Sequence, residues 1–415
     1  MPPFPIPALR GLAMPLFAAA ALAASSFAWA EPNPYYIGVS QAFAHDSNLF
    51  RNSTAEVPDK YSITGLLAGI DQPFGRQRFY ANGRVSSTTF EDIKSLNNTS
   101  YSFDTGLDWS TINQLAGSFN VSVNENLASY GSSVNQPQLS KKNIETLKQA
   151  NARVQLGLVS LLSLEGSLAY RRVDYSAVEF ATSEILQNTY SLGLKYRPSG
   201  LLTLGLAYRA TRGEYPGVLL ASGNGAAFRR NDIDLTATWF ATGLSTVNGR
   251  LSYGKQTSDA FTARDFSGAT GSLGWTYVPT GKLTFNTSIS RDTGAEASFS
   301  NPSQTQLGGR IDNSRLTTTF DLNAVYAATA KIKVNAGFRS SHRTLSDLQT
   351  APSGAKLTID GSDTLNSLSL GVNYEPARNW LLGCSASYET RSAKGGLSSD
   401  YDATIVNCSG KFTLQ

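Results

Sequence analysis

The sequence predicts an all-β protein: a transmembrane antiparallel up-and-down β-barrel of about eighteen strands, following an N-terminal signal peptide. Three observations carry that prediction. Runs of about ten residues alternate apolar and polar side chains, in pairs around very short turns, along most of the chain. Aromatic residues gather beside those short turns. The composition is rich in Ser, Thr and Asn, with 36 Gly and only 2 Met, which favours sheets and tight turns over helices.

Residues 1–30 carry one early cation, Arg10, then an apolar run from Gly11 to Ala24, then Ala28-Trp29-Ala30. The run falls short of the roughly 20 residues a membrane-spanning helix needs, and the small-x-small ending suits signal peptidase, so cleavage is expected after Ala30. Residues 31–415 then form the barrel. A mean hydropathy of −0.20 is no obstacle, because only alternate residues of a barrel strand meet lipid. Lys and Arg total 35 against 31 Asp and Glu, with no concentrated basic patch, so a nucleic-acid partner is excluded.

The clearest hairpin is YSLGLKYRPSGLLTLGLAYR, Tyr190 to Arg209. Tyr190, Leu192, Leu194 and Tyr196 share one face, and Ser191, Gly193, Lys195 and Arg197 the other; Pro198, Ser199 and Gly200 make the turn. The same pattern defines an opening strand at Tyr35 to Phe43, then hairpins of Tyr61–Asp71 with Arg78–Phe90, Tyr101–Trp109 with Leu115–Leu127, and Leu147–Leu158 with Leu164–Tyr175. Beyond the clearest hairpin come Ile233–Phe240 with Val247–Gln256, Ala269–Val278 with Leu283–Asp292, Arg315–Tyr326 with Ile332–Arg343, and Leu365–Tyr374 with Trp380–Arg391. A closing strand runs from Thr404 to Leu414. The unit recurs every ~40 residues, a period that propellers share, but propeller strands are too short to cross a bilayer. A soluble sandwich gives no reason for aromatics beside the turns. Short turns should face the periplasm and the longer polar loops the outside.

Assigning the apolar faces to lipid sends the polar faces to the lumen, because eighteen strands enclose too much space for a packed core. The expected lumenal cations are Arg78, Arg84, Arg153, Arg171, Lys195, Arg197, Arg209, Arg250, Arg315, Lys333, Arg339, Arg343 and Lys411. The expected anions are Asp104, Asp108, Glu165, Asp232, Asp234, Asp292, Asp321 and Glu389. That positive lean would favour an anionic or neutral hydrophilic solute, while individual pairs hold the wall together. Trp109, Tyr196, Trp239, Trp275, Tyr277, Tyr326, Tyr374 and Trp380 are expected in the periplasmic aromatic girdle, and Tyr80 is one of few lumenal aromatics.

No motif singles out a nucleophile, and the 2 His, His45 and His342, lie at loop ends of distant strands, so catalysis is not expected. No metal or cofactor spacing is present. Cys384 and Cys408 stand about equally far from Gly396 at the centre of the last loop, which would place them opposite each other on the lipid face, as a cross-strand disulfide or as two thiols.

The opening segment YYIGVSQAFAHDSNLFR (Tyr35 to Arg51) and the Tyr-x-Pro turns at Tyr196-Arg197-Pro198, Tyr277-Val278-Pro279 and Tyr374-Glu375-Pro376 resemble the EpsL-type outer-membrane barrels of exopolysaccharide loci, associated with exosortase systems. His45 stands where that family's pattern leads one to expect another acidic or polar residue. The resemblance implies a passive conduit for a newly made polysaccharide chain, working beside a periplasmic polysaccharide-export protein. Any such barrel is expected to meet outer-membrane lipid and the barrel-assembly machinery. A diffusion porin for small hydrophilic or anionic solutes and a structural or adhesive barrel are the alternatives.

Overall fold

Alternating sequences of this kind form strands, and only a closed sheet pairs every backbone group inside a bilayer. The computed structural model describes residues 33–112, 114–130, 140–157, 160–220, 225–259, 265–293, 316–350 and 356–415, with the backbone alone at 347–350 and 356–358. The expected signal peptide, its cleavage after Ala30, and Arg315 lie outside the described residues.

The strands are β1 (Tyr35–Asp46), β2 (Asp59–Phe74), β3 (Gln77–Phe90), β4 (Asn98–Ser110), β5 (Leu115–Leu127), β6 (Ile144–Leu156), β7 (Leu162–Tyr175), β8 (Ile185–Ser199) and β9 (Leu202–Leu219). They continue as β10 (Gly225–Thr242), β11 (Ser245–Ser258), β12 (Phe266–Thr280), β13 (Leu283–Asp292), β14 (Leu316–Ala327), β15 (Ile332–Thr350), β16 (Lys356–Tyr374), β17 (Trp380–Lys394) and β18 (Tyr401–Leu414). Each strand pairs antiparallel with its chain neighbours, and β1 pairs with both β2 and β18, closing an 18-stranded up-and-down barrel. Lys94–Leu96 and Val178–Ser183 form short 3-10 turns in the loops.

Register carries one facing around the whole wall, because residues directly opposite in an antiparallel pair share a face. Lys195 stands opposite Gly205, Gly205 opposite Thr236, and Thr236 opposite Arg250, all inward. Their neighbours Leu194, Leu206, Leu235 and Leu251 project outward and are exposed. The outward face carries two aromatic tiers. Beside the short turns stand Tyr196, Trp239, Trp275, Tyr326, Tyr374 and Trp380, all exposed. Trp275 stacks on Tyr277 at 5.2 Å and its Nε1 donates to Ser245 Oγ at 2.8 Å. Toward the loops a second tier holds Tyr101, Tyr190, Tyr208, Tyr253 and Tyr388. An exposed apolar belt between aromatic tiers is the surface that a bilayer covers, and the protein is an integral outer-membrane barrel.

The strands run further than the alternation indicates. β1 ends at Asp46 instead of Phe43, and the turn expected at 72–77 narrows to Gly75 and Arg76, with Gly75 at φ +62° in the left-handed region. The stretches 210–232 and 344–364, expected as loops, are mostly strand, as β9 meets β10 and β15 meets β16 well beyond the second aromatic tier.

Candidate functional site

The lumenal face divides into two halves of different character. In the half beside the short turns it is open and charged. Arg78 donates to Asp71 through Nε at 2.7 Å, lies 3.9 Å from Asp108, and sits 5.5 Å from the Tyr80 ring, with all three charged side chains about half exposed. Asn120 joins them, donating to Asp104 at 2.8 Å and to the Tyr80 hydroxyl at 3.2 Å. Glu165 accepts from both Arg153 and Lys195, the latter at 2.6 Å. Lys333 pairs with Glu375 at 3.1 Å and Arg339 with Asp321 at 3.3 Å. Arg197 also lies at this end, near the end of β8. Arg84 is exposed and Lys411 partly so; among the described residues neither has an ion-pair partner.

In the half beside the loops the same wall is buried. Arg209 is 1 % exposed and donates to Asp234 at 2.8 and 3.1 Å, with Asp232 at 3.4 Å. Arg230, fully buried, grips Asp232 at 2.8 to 3.0 Å and reaches Thr270 at 3.2 Å and Thr293 at 2.5 Å. Two carboxylates shared by two guanidiniums balance charge, which a buried network requires. Gly254, opposite Asp232, makes room for it, since a Cβ there would lie 2.0 Å from Asp232 Oδ1. Arg250 pairs with Asp292 at 3.0 Å, and Arg343 with the buried Asp363 through Nε at 2.7 Å. Apolar side chains also turn inward here: Leu147, Val173, Ile185, Tyr215 and Phe228 form one buried cluster on β6 to β10.

The first loop, 47–58, caps this half. Asp46 accepts from the Asn48 amide at 3.0 Å and from both contacts of Arg51 Nη1 at 2.9 Å. Asn48 in turn donates to the carbonyls of Asn52 at 2.8 Å and Asp402 at 2.9 Å. Arg51 holds φ +57°, a conformation that non-glycine residues adopt only when neighbours enforce it. Its Nε lies 3.5 Å from Glu389 on β17, and it sits 5.8 Å from the Tyr401 ring, which Arg391 approaches at 4.8 Å. On the other side Leu49 and Phe50 pack with Phe90 and Leu96, and Phe50 meets the Tyr130 ring edge-on at 4.9 Å. A loop joining neighbouring strands thus reaches from β17 across to the end of β5.

Every expected lumenal residue that is described stands on the inward face, but the water-lined wall is narrower than expected. Arg171, Arg209, Asp232, Asp234 and Arg343 are buried, and Glu389 serves the first loop. Asp71, Asp363 and Glu375, which take the expected lumenal cations Arg78, Arg343 and Lys333, were missed because each falls at or beyond a strand end read too short; Asp46, which takes Arg51, and Arg230 were missed for the same reason. A buried Arg three residues before an alternating run carries no signal of its own. His45 and His342 belong to the outward faces of β1 and β15, and His342 Nδ1 lies 3.0 Å from Thr364 Oγ1. Cys384 and Cys408 are register partners on β17 and β18, joined by a disulfide on the outward face.

No family model matches the chain, and no curated protein sequence matches it. Solved structures do resemble its fold. OccK2 (OpdF) of Pseudomonas aeruginosa aligns with a TM-score of 0.50 at 12% identity, over 92% of this chain and 98% of its own. OccK1 (OpdK) of the same organism aligns at 0.48 and 13% identity, covering 92% and 99%. OpdK with vanillate gives the same score and identity, covering 92% and 99%. At this identity the likeness to OccK2 concerns the barrel fold alone.

Proposed function

We propose that the protein is a diffusion pore for small hydrophilic solutes, with a bias toward anions, and carries out no chemistry on them. The carrying observation is the contrast between the two halves of the lumenal face. A polymer conduit needs a bore that stays wide and hydrated along its length, whereas here the loop-side wall is buried to the point that Arg230, Arg209, Gln187 and Ser252 are essentially without solvent contact. On this reading the side chains packed against that wall narrow the loop-side half of the bore, and small solutes pass it. The open half then acts as a vestibule in which paired charges cancel and Arg84 and Lys411 leave a positive residue. The fold resemblance to OccK2 is compatible with this reading. Polysaccharide export, which the EpsL-type resemblance implies, asks for a wider passage than this wall supports.

A strain lacking the protein tests the two readings together. Slower uptake of small hydrophilic anions with normal surface polysaccharide is the expected result. Lost polysaccharide with unchanged solute uptake would overturn the diffusion-pore reading and favour the conduit.

A further inference from the structure

Outward-facing side chains change character where β6 to β11 leave the apolar belt. Lys148 stands opposite Arg172, and Arg212 opposite Arg229, with Lys255 one strand further on, opposite Asn231. All five cations are exposed. Placing Arg212 and Arg229 side by side costs free energy unless an anion joins them. Asp174 answers part of this charge, at 2.8 Å from Arg172 Nε and 3.8 Å from Lys148, and Glu214 is the other acid on the patch. Among the described residues no acid pairs with Arg212, Arg229 or Lys255. Arg212 is held at its height by Nη1, which donates to Asn231 Oδ1 at 3.0 Å and to the carbonyls of Thr211 at 2.9 Å and Arg230 at 3.2 Å. Glu125, on the neighbouring β5, accepts from Thr146 at 3.3 Å at the edge of the patch, and on the opposite wall the outward charges at the loop end are mixed, with Lys60 and Asp402 among them.

Directly below this patch lies an apolar groove of about 370 Å³. Small residues make it: Ala152, Gly166 and Ala210 sit among Leu168, Tyr190 and Leu192. The register row Ala152, Leu168, Tyr190, Ala210 is followed, one row toward the loops, by the row containing Arg212, and by Lys148 and Arg172 in the next. Successive rows are about 7 Å apart along a strand, so the cations rim the upper end of the groove.

We propose that the outward face of β6 to β11 is a binding site for one phosphate-bearing lipid of the outer leaflet, its acyl chain in the groove and its phosphate on Arg212, Arg229 and Lys255. Charge complementarity selects the occupant: a zwitterionic headgroup, whose phosphate is balanced by its own ammonium, cannot neutralise this patch, whereas one with uncompensated phosphate monoesters can. The loop end faces outside in barrels of this architecture, which puts the patch at the headgroups of that leaflet. The site is independent of what passes through the pore.

The full chain in detergent, titrated with bis-phosphorylated lipid A and with the same lipid after phosphate removal, tests the assignment by native mass spectrometry. The phosphorylated form should bind more tightly, and R212Q/R229Q/K255Q should weaken it by roughly 100-fold while sparing the dephosphorylated form. Gly166→Leu, whose Cβ would meet no atom within 4 Å, should weaken both forms alike, and Lys60→Gln neither. Arg212→Gln alone serves if the triple variant does not refold, as judged by heat modifiability. Equal affinity for the two lipids, an unaffected triple variant, or competition by inorganic phosphate at the lipid's own concentration would overturn the proposal.

Discussion

Arg51→Gln should open the outer mouth of the barrel. Arg51 and Asp46 are both about nine-tenths buried and bonded at 2.9 Å, and Arg51 also faces Glu389 at 3.5 Å. Removing the guanidinium leaves Asp46 buried with the Asn48 amide as its remaining donor at 3.0 Å, and an uncompensated buried carboxylate costs on the order of 3 kcal/mol. The barrel ladders do not depend on this contact, so the cost falls on the loop, whose open population should rise roughly 100-fold. Single-channel recordings should show larger or noisier currents, and protease should cut within residues 47–58 faster than in the wild type. Asp46→Asn in the same chain removes the buried charge and should restore part of the closed state. Unchanged currents and cleavage in Arg51→Gln, or a double variant worse than the single, would refute the latch.

Three further outcomes follow from the same geometry. Arg84→Glu with Lys411→Glu should move the reversal potential in a salt gradient from anion-leaning to cation-leaning, since these cations have no acidic partner among the described residues; an unmoved potential would mean that selectivity is set elsewhere. Burial pushes the Tyr130 phenol from 10.0 up to about 12, so the fold favours its neutral form, and the stability this gives the first loop is intact below about pH 10 and is lost as pH rises toward about 12. Protease sensitivity of residues 47–58 should therefore rise over that window, and Tyr130→Phe should remove the rise. Finally, a membrane-impermeant thiol reagent should reach a cysteine at Lys195→Cys but not at Leu194→Cys, and the reverse would invert the assigned facing.

Much of the wall was legible because lipid imposes a simple rule on it. Leu192, Leu194 and Tyr196 must be apolar and their neighbours need not be, so the alternation reports strand, facing and register at once. Above the bilayer that rule inverts. On β9 and β10 the outward residues become Arg212 and Arg229, while Tyr215 and Phe228 turn inward to pack against each other at 5.4 Å. The period of two persists, but its polarity reverses, so the strand reads as a loop. The closed half of the lumen, with Arg230 and the latch at Arg51, lies in that inverted region. Its long-range partners, such as Arg51 with Glu389, are set by barrel closure and not by local sequence. The girdle aromatics and the open-half charges, which lie within the bilayer's span, were placed from sequence on the faces where the structure has them.

The most direct measurement is the size limit of the reconstituted pore. Proteoliposomes containing the protein should swell in monosaccharides and small organic anions and stay unswollen in oligosaccharides, and polyethylene glycols above a small cut-off should leave single-channel current unchanged from the outer side. If a polysaccharide chain threads the pore and blocks current from both sides, the bore is wide throughout and the diffusion-pore account is contradicted.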